Sequence, residues 1–154
     1  ADATRPWGTI EHVLSGQATT ITADALKGVY WSLRAPYRRN ATWVMSSATA
    51  NSVDKLKDGD GSYLWRNSMT AGVSPTLLGL PVEIDEEMPA VEAGALPIAL
   101  ADWKQAYLIV DRPGVKMLRD PYTSRPYVKF YSTKRVGGDM ANFEAIKLLK
   151  IGAA

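Results

Sequence analysis

The stretch from Leu118 to Lys150, LRDPYTSRPYVKFYSTKRVGGDMANFEAIKLLK, constrains the fold more than any other part of this chain. Two runs of strand formers flank a turn rich in Pro, Asp and Ser, and a third apolar run follows the Gly137-Gly138 break. That pattern predicts an elongated hairpin. It contains no nucleophile–base pair, no metal-ligand cluster and no phosphate-cradling glycine loop. A basic, aromatic hairpin without such chemistry indicates a protein that works by contact, and copies of itself are the simplest partner.

The chain has 154 residues, the size of one domain able to bury a sizeable core. Apolar residues make up 46% and charged residues 22%, which argues against disorder. A net charge of +2 is too small for a general polyanion footprint. Without cysteine there is no disulfide scaffold, thiolate catalysis or Cys-ligated zinc. No apolar run approaches the roughly 18 residues of a bilayer span, so no membrane partner is expected. The first residues do not read as a charged-then-apolar leader. Because the chain opens at Ala1, the expectation is the C-terminal part of something longer.

Periodicity predicts an α+β unit. A short strand is expected near Ile10–Leu14. Thr22 reads as an N-cap, followed by Leu26, Val29, Tyr30 and Leu33 at helical spacing, with Pro36 closing that helix near Ala35. Thr42–Met45 reads as a strand, and Ser46 or Ser47 caps a helix to about Lys57 with Val53 and Leu56 inward. Asp58–Gly61 is a turn and Tyr63–Trp65 a short strand, before a polar loop at 66–75. Strands are expected at Thr76–Leu80 and Val82–Ile84, broken at Gly79 to Pro81. Pro97–Ala101 and Tyr107–Val110 read as buried strands because their apolar runs are continuous. Val115–Leu118 and Tyr127–Val136 make the hairpin, and Asn142–Ile151 closes the chain as a strand or short helix.

Three clusters could carry chemistry. His12, the only histidine, has no Ser or Asp beside it in a nucleophile motif. Glu83, Asp85, Glu86, Glu87 and Glu92 could supply paired carboxylates for a small hydrolase, or a cation site. The cluster lacks the glycine-punctuated alternation of a calcium loop, and a solvated acidic edge is the preferred reading, followed by one that meets a basic neighbour. Six bases (Lys116, Arg119, Arg125, Lys129, Lys134 and Arg135) interleave with Tyr122, Tyr127, Phe130 and Tyr131. That mixture fits stacking on single-stranded nucleic acid, an intersubunit surface or simply a solvated hairpin. Strand alternation puts only half of the aromatic rings on one face, and the overall charge is nearly balanced, so the intersubunit surface is preferred. No catalytic, cofactor or metal residue is assigned.

Several motifs occur in a telling order: Pro6-x-Gly8, Leu33-Arg34-Ala35-Pro36-Tyr37, Trp43-Val44-Met45-Ser46 and Leu56-Lys57-Asp58. Gly61-x-Tyr63-Leu64-Trp65, Leu77-Leu78-Gly79-Leu80-Pro81-Val82 and Met88-Pro89 come next. Asp111-Arg112, Arg119-Asp120-Pro121-Tyr122-Thr123 and Phe130 through Gly138 complete the set. In this order the chain resembles the C-terminal half of tailed-bacteriophage major capsid proteins of the Hong Kong 97 fold. The resemblance implies an axial domain at 1–108 and 141–154, and a peripheral-domain hairpin at 109–140 with its tip at Arg119–Tyr127. It also makes the 66–75 loop a candidate axis-facing tip. The family's N-terminal arm, extended loop and spine helix have no counterpart in these residues. Some members crosslink subunits through a Lys–Asn bond assisted by Glu. Tyr127–Arg135 contains neither Asn nor Glu, so no crosslink is expected there.

The resemblance implies a coat subunit that builds pentamers and hexamers of an icosahedral shell around double-stranded DNA, located in the virion and made in the bacterial cytoplasm. Its partners would be copies of itself, scaffolding and portal proteins, and packaged DNA touched without sequence preference. The interface candidates are Glu83, Asp85, Glu86 and Glu87 on one side, and Arg119, Tyr122, Arg125, Lys129, Lys134 and Arg135 on the other. The alternatives are the shell of an encapsulin-like nanocompartment or gene-transfer particle, and more remotely the hydrolase.

Overall fold

The computed structural model describes residues 9–57, 59–63 and 75–153. The Pro6-x-Gly8 motif, Asp58, Leu64, Trp65 and the 66–75 loop apart from Pro75 lie outside the described residues. The first elements are β1 (His12–Leu14), α1 (Ala23–Ser32), α2 (Ala35–Arg38), β2 (Thr42–Met45) and α3 (Ser47–Asp54). Thr22 caps α1 as expected: its Oγ1 accepts the Ala25 N–H at 3.2 Å, satisfying a donor that the first turn leaves free. Leu26, Val29 and Leu33 are buried below it. Pro36 does not close this helix. Leu33 and Arg34 are already extended, and Pro36 sits in the first turn of α2. Proline is well placed there, because first-turn N–H groups have no helical partner to lose. Ser46 is the N-cap residue of α3, although its hydroxyl bonds Thr49 Oγ1 instead of a backbone N–H. The helix stops at Asp54, short of Lys57, with Val53 buried and Leu56 packed on the core.

The chain continues through β3 (Thr76–Leu77), β4 (Leu80–Ile84), β5 (Ile98–Ala101), α4 (Trp103–Ala106) and β6 (Tyr107–Asp111). Then come β7 (Lys116–Asp120), β8 (Lys129–Thr133), β9 (Val136–Met140), a 3-10 turn at Phe143–Ala145 and β10 (Ile146–Lys150). The expected break at Gly79 to Pro81 lies one residue earlier. Leu78 and Gly79 both have positive φ (53° and 79°), which makes a tight two-residue hairpin turn, and Pro81 resumes the strand opposite Thr76. The closing run is the short 3-10 turn followed by a strand.

Six strands form one mixed sheet in the order β1-β10-β5-β2-β4-β3. The β1–β10 and β2–β4 pairs are parallel, and the other three are antiparallel. Every residue of β5 is buried, as its apolar run predicts. The main core joins Leu26, Val29 and Val53 of the helices to Trp43, Met45, Ile98, Leu100 and Leu149 of the sheet. A smaller cluster of Ala101, Ala106, Ala145 and Ile146 sits where the chain leaves the sheet and returns.

The remaining strands lie outside this sheet. β6 pairs with β9, and β7 pairs with β8, as two separate antiparallel ribbons in tandem. This corrects two expectations. The run Tyr127–Val136 is not one strand, because it divides at Lys134-Arg135 between the ribbons. Tyr107–Val110 forms a strand, but an exposed one: Leu108 retains 56% and Ile109 68% of its accessible surface. An unbroken apolar run reports that a strand is to be covered. It does not say whether its own chain supplies the cover.

Candidate assembly surface

The ribbons spring from a narrow, well-bonded neck. Asp102 precedes α4, donating its N–H to the Ala145 carbonyl at 3.0 Å and accepting the Gln105 side-chain amide at 3.1 Å. The Ala106 carbonyl receives the Ala141 N–H at 2.8 Å, which holds the outgoing and returning chain together. Asn142 accepts the Glu144 N–H and donates its amide to the Tyr37 hydroxyl at 3.0 Å. Small buried alanines let the two strands approach at this point. No sequence motif marks the neck alanines Ala106, Ala141 and Ala145, since alanine carries no chemistry to recognise.

Beyond the neck, burial almost ceases. Of the nineteen large apolar side chains exposed among the described residues, thirteen lie between Tyr107 and Val136. Strand pairing places Leu118 opposite Tyr131 and Arg119 opposite Phe130, so apolar side chains stand on both faces of the outer ribbon. On the inner ribbon, Tyr107 lies across Gly138, where a Cβ would fall 2.5 Å from its hydroxyl oxygen. Gly137 and Gly138 thereby leave a shallow groove floored by backbone and walled by Leu108 and Val110. An isolated two-stranded ribbon is at best marginally stable in water, and open edges invite further pairing.

The six basic candidates divide by environment. Arg119 and Lys129 stand exposed on the outer ribbon, and Tyr122 and Arg125 belong to its tip. That tip is organised by Asp120, which accepts the Thr123 hydroxyl and the N–H groups of Tyr122 and Thr123. The Thr123 hydroxyl first, then the Tyr122 amide, holds the Asp120 carboxyl below the usual carboxylate range. Lys134 is already paired within the chain, its Nζ 2.5 Å from Asp111 Oδ2. Arg135 instead lines a cleft of about 160 Å³ with Arg112, Pro113, Gly114, Lys116 and Thr133. The sequence reading missed Arg112 and this grouping, because the cleft forms only where the two ribbons meet.

Glu83 ends up on β4, and Asp85, Glu86 and Glu87 form the turn after it; all four are exposed. The turn is held in shape. Asp85 Oδ1 accepts the Glu87 N–H at 3.0 Å, and the Ser47 hydroxyl donates to Glu86 at the start of α3. A carboxylate beside a helix N-terminus also faces a favourable dipole. Among the described residues, none of these four carboxylates has an ion-pair partner, and neither do Arg112, Lys116, Arg119, Arg125, Lys129 or Arg135. The structure thus leaves an acidic turn on the sheet-bearing body and an unneutralised basic ribbon. It does not bring the two together within one chain.

Residues 1–151 match the model of the phage capsid family. Comparison with curated proteins gives no match. Among solved structures, the chain is similar to the capsid of a native GTA (gene-transfer-agent) particle computed with C5 symmetry. The two share 44% identity with a TM-score of 0.82, over 99% of this chain and 53% of that one. The capsid of the empty GTA particle gives the same identity and coverage with a TM-score of 0.81. Structures from Mycobacterium phage Patience (10% identity, TM-score 0.61) and Gordonia phage Cozz (12%, 0.60) share the fold. They cover 93% and 100% of this chain, which covers 45% and 55% of theirs. The chain spans about half the length of the capsid chains it matches.

Proposed function

The chain belongs to the phage capsid family, and from that premise we propose that it is the shell-contacting part of a coat subunit. In this reading the coat closes into pentamers and hexamers around double-stranded DNA. The observation that carries the reading is the pair of ribbons, where exposed apolar side chains accumulate on strands that add nothing to the main core. A lone subunit gains little from such a surface, whereas a closed shell repeats it at every interface. Residues 1–108 and 141–154 then form the axial domain, and 109–140 the peripheral hairpin. Glu83, Asp85, Glu86 and Glu87 contact a neighbour, as do Arg119, Tyr122, Arg125, Lys129 and Arg135, while Lys134 acts through its pair with Asp111. Complementary charge of this kind sets register and specificity more than affinity.

The subunit performs no catalysis. It is made in the bacterial cytoplasm, assembles with scaffolding and portal proteins, and ends in the particle. DNA meets the inner wall through phosphate contacts that salt weakens. The 44% identity to GTA capsids favours a gene-transfer particle as the second reading. Electron microscopy of the expressed whole coat chain tests the assignment. Closed shells with fivefold vertices and nuclease-protected double-stranded DNA are expected; shells filled with protein cargo would favour the nanocompartment, and a permanently monomeric product would refute the coat.

A further inference from the structure

We propose that the cleft between the two ribbons, formed by Arg112, Lys116 and Arg135, is a carboxylate receptor that takes the acidic turn Asp85–Glu87 of a second copy of this chain. The inference rests on the coat reading and goes beyond it by naming both halves of one contact. Three features of the cleft support it. Its cations line one small cavity, so an anion held there is attracted by all three. The Thr133 hydroxyl, directly opposite Lys116 in the strand register, adds a neutral donor. Arg112 donates its backbone N–H to the Arg135 carbonyl at 3.1 Å, which fixes the spacing of the two guanidinium-bearing residues. Guanidinium groups bind carboxylates in a bidentate fork, so two of them specify a carboxylate more sharply than lysines would.

The neighbouring Lys134 is excluded from this role. Lys134 and Arg135 lie in the link between β8 and β9, and Lys134 is engaged by Asp111. That internal pair neutralises one charge at the junction and leaves the cleft as the unneutralised side. The turn is equally suited to its part. The Asp85 cap and the Ser47–Glu86 bond hold it in one shape before contact, so less conformational freedom is lost on docking. No cation of its own chain pairs with it among the described residues.

Charge reversal in the whole coat chain tests the contact. Arg112→Glu with Arg135→Glu, or Glu86→Lys with Glu87→Lys, should each lower shell yield at least about tenfold, since like charges across an interface cost several kcal/mol. Combining all four substitutions in one chain should restore yield and the sedimentation profile. Far-UV circular dichroism confirms that each variant is folded. Loss without rescue would overturn the pairing, and so would normal shells with reduced DNA content, which would mark the cleft as a phosphate contact. Shells indifferent to either reversal would remove the receptor but leave the coat reading standing. A wild-type chain that stays monomeric would remove both.

Discussion

Excising the outer ribbon should leave the remaining protein folded. The register makes the cut natural: Asp111 and Val136 are the last paired residues of the inner ribbon, so residues 112–135 can be replaced by an Asn-Gly turn. Neither hydrophobic cluster includes a residue from 112–135, so the loss of buried apolar surface is close to zero. The Lys134–Asp111 pair is also lost, but both side chains are 48% exposed, and such a pair contributes at most about 1 kcal/mol. Against that, exchanging the long connection for a two-residue turn lowers the closure cost of the inner ribbon by about 2 kcal/mol. The net change should lie between roughly zero and a gain of 2 kcal/mol, small beside a domain stability of about 5–15 kcal/mol. Urea unfolding followed by far-UV circular dichroism measures it, with a nearly unchanged m-value expected because little buried surface is removed. Shell formation should meanwhile disappear. A fall in stability beyond about 2 kcal/mol, or an unfolded product, would mean that the ribbon belongs to the subunit's own core.

Other substitutions probe the sheet that carries the ribbons. Trp43 is fully buried and donates its indole N–H to the Leu77 carbonyl at 3.0 Å; Trp43→Phe should cost about 2–4 kcal/mol in urea unfolding through an orphaned carbonyl and a small cavity. Glu11 accepts a hydrogen bond from Lys147, whose side chain is only 8% exposed, and that bond lowers the Glu11 pKa. Because the folded value is depressed, this stabilisation is present above the ordinary carboxylate range and is lost as pH falls through the lowered pKa. Glu11→Gln should therefore cost about 1–2 kcal/mol near neutrality, reduced from the fully buried case because Glu11 is 60% exposed, and flatten the acid limb of a pH–stability profile. Gly79 has φ +79° and open space around its Cβ position, so Gly79→Ala should cost about 1 kcal/mol of backbone strain without a clash, read as a small shift of the unfolding midpoint.

Much of the body is legible in the sequence, because short-range rules decide it. Thr22 declares a cap, Leu26 and Val29 a helical stripe, and Ile98–Ala101 a buried strand, and each stands where expected. Pro36 misleads because proline both stops helices and starts them, and the choice depends on the extended pair Leu33-Arg34 before it. Tyr107–Val110 misleads for a deeper reason. Apolar continuity signals a preference for burial, and here it falls on a ribbon outside the main sheet, where the single chain leaves that strand exposed. The acidic and basic residue sets could be read directly, but their partition could not. That Lys134 turns to Asp111 while Arg135 joins Arg112 and Lys116 is decided in the link between β8 and β9, which the unbroken run from Tyr127 to Val136 conceals.

Hydrogen exchange along residues 107–136, compared between the dissociated subunit and the assembled particle, tests most directly whether this surface exists to be covered by neighbours. The account predicts rapid exchange of the ribbon amides in the subunit, while β5 and β10 stay protected, and strong protection of the same ribbon amides in the particle. Ribbon amides that are as slow as those of the sheet in the lone subunit, or as fast in the particle as in solution, would contradict it.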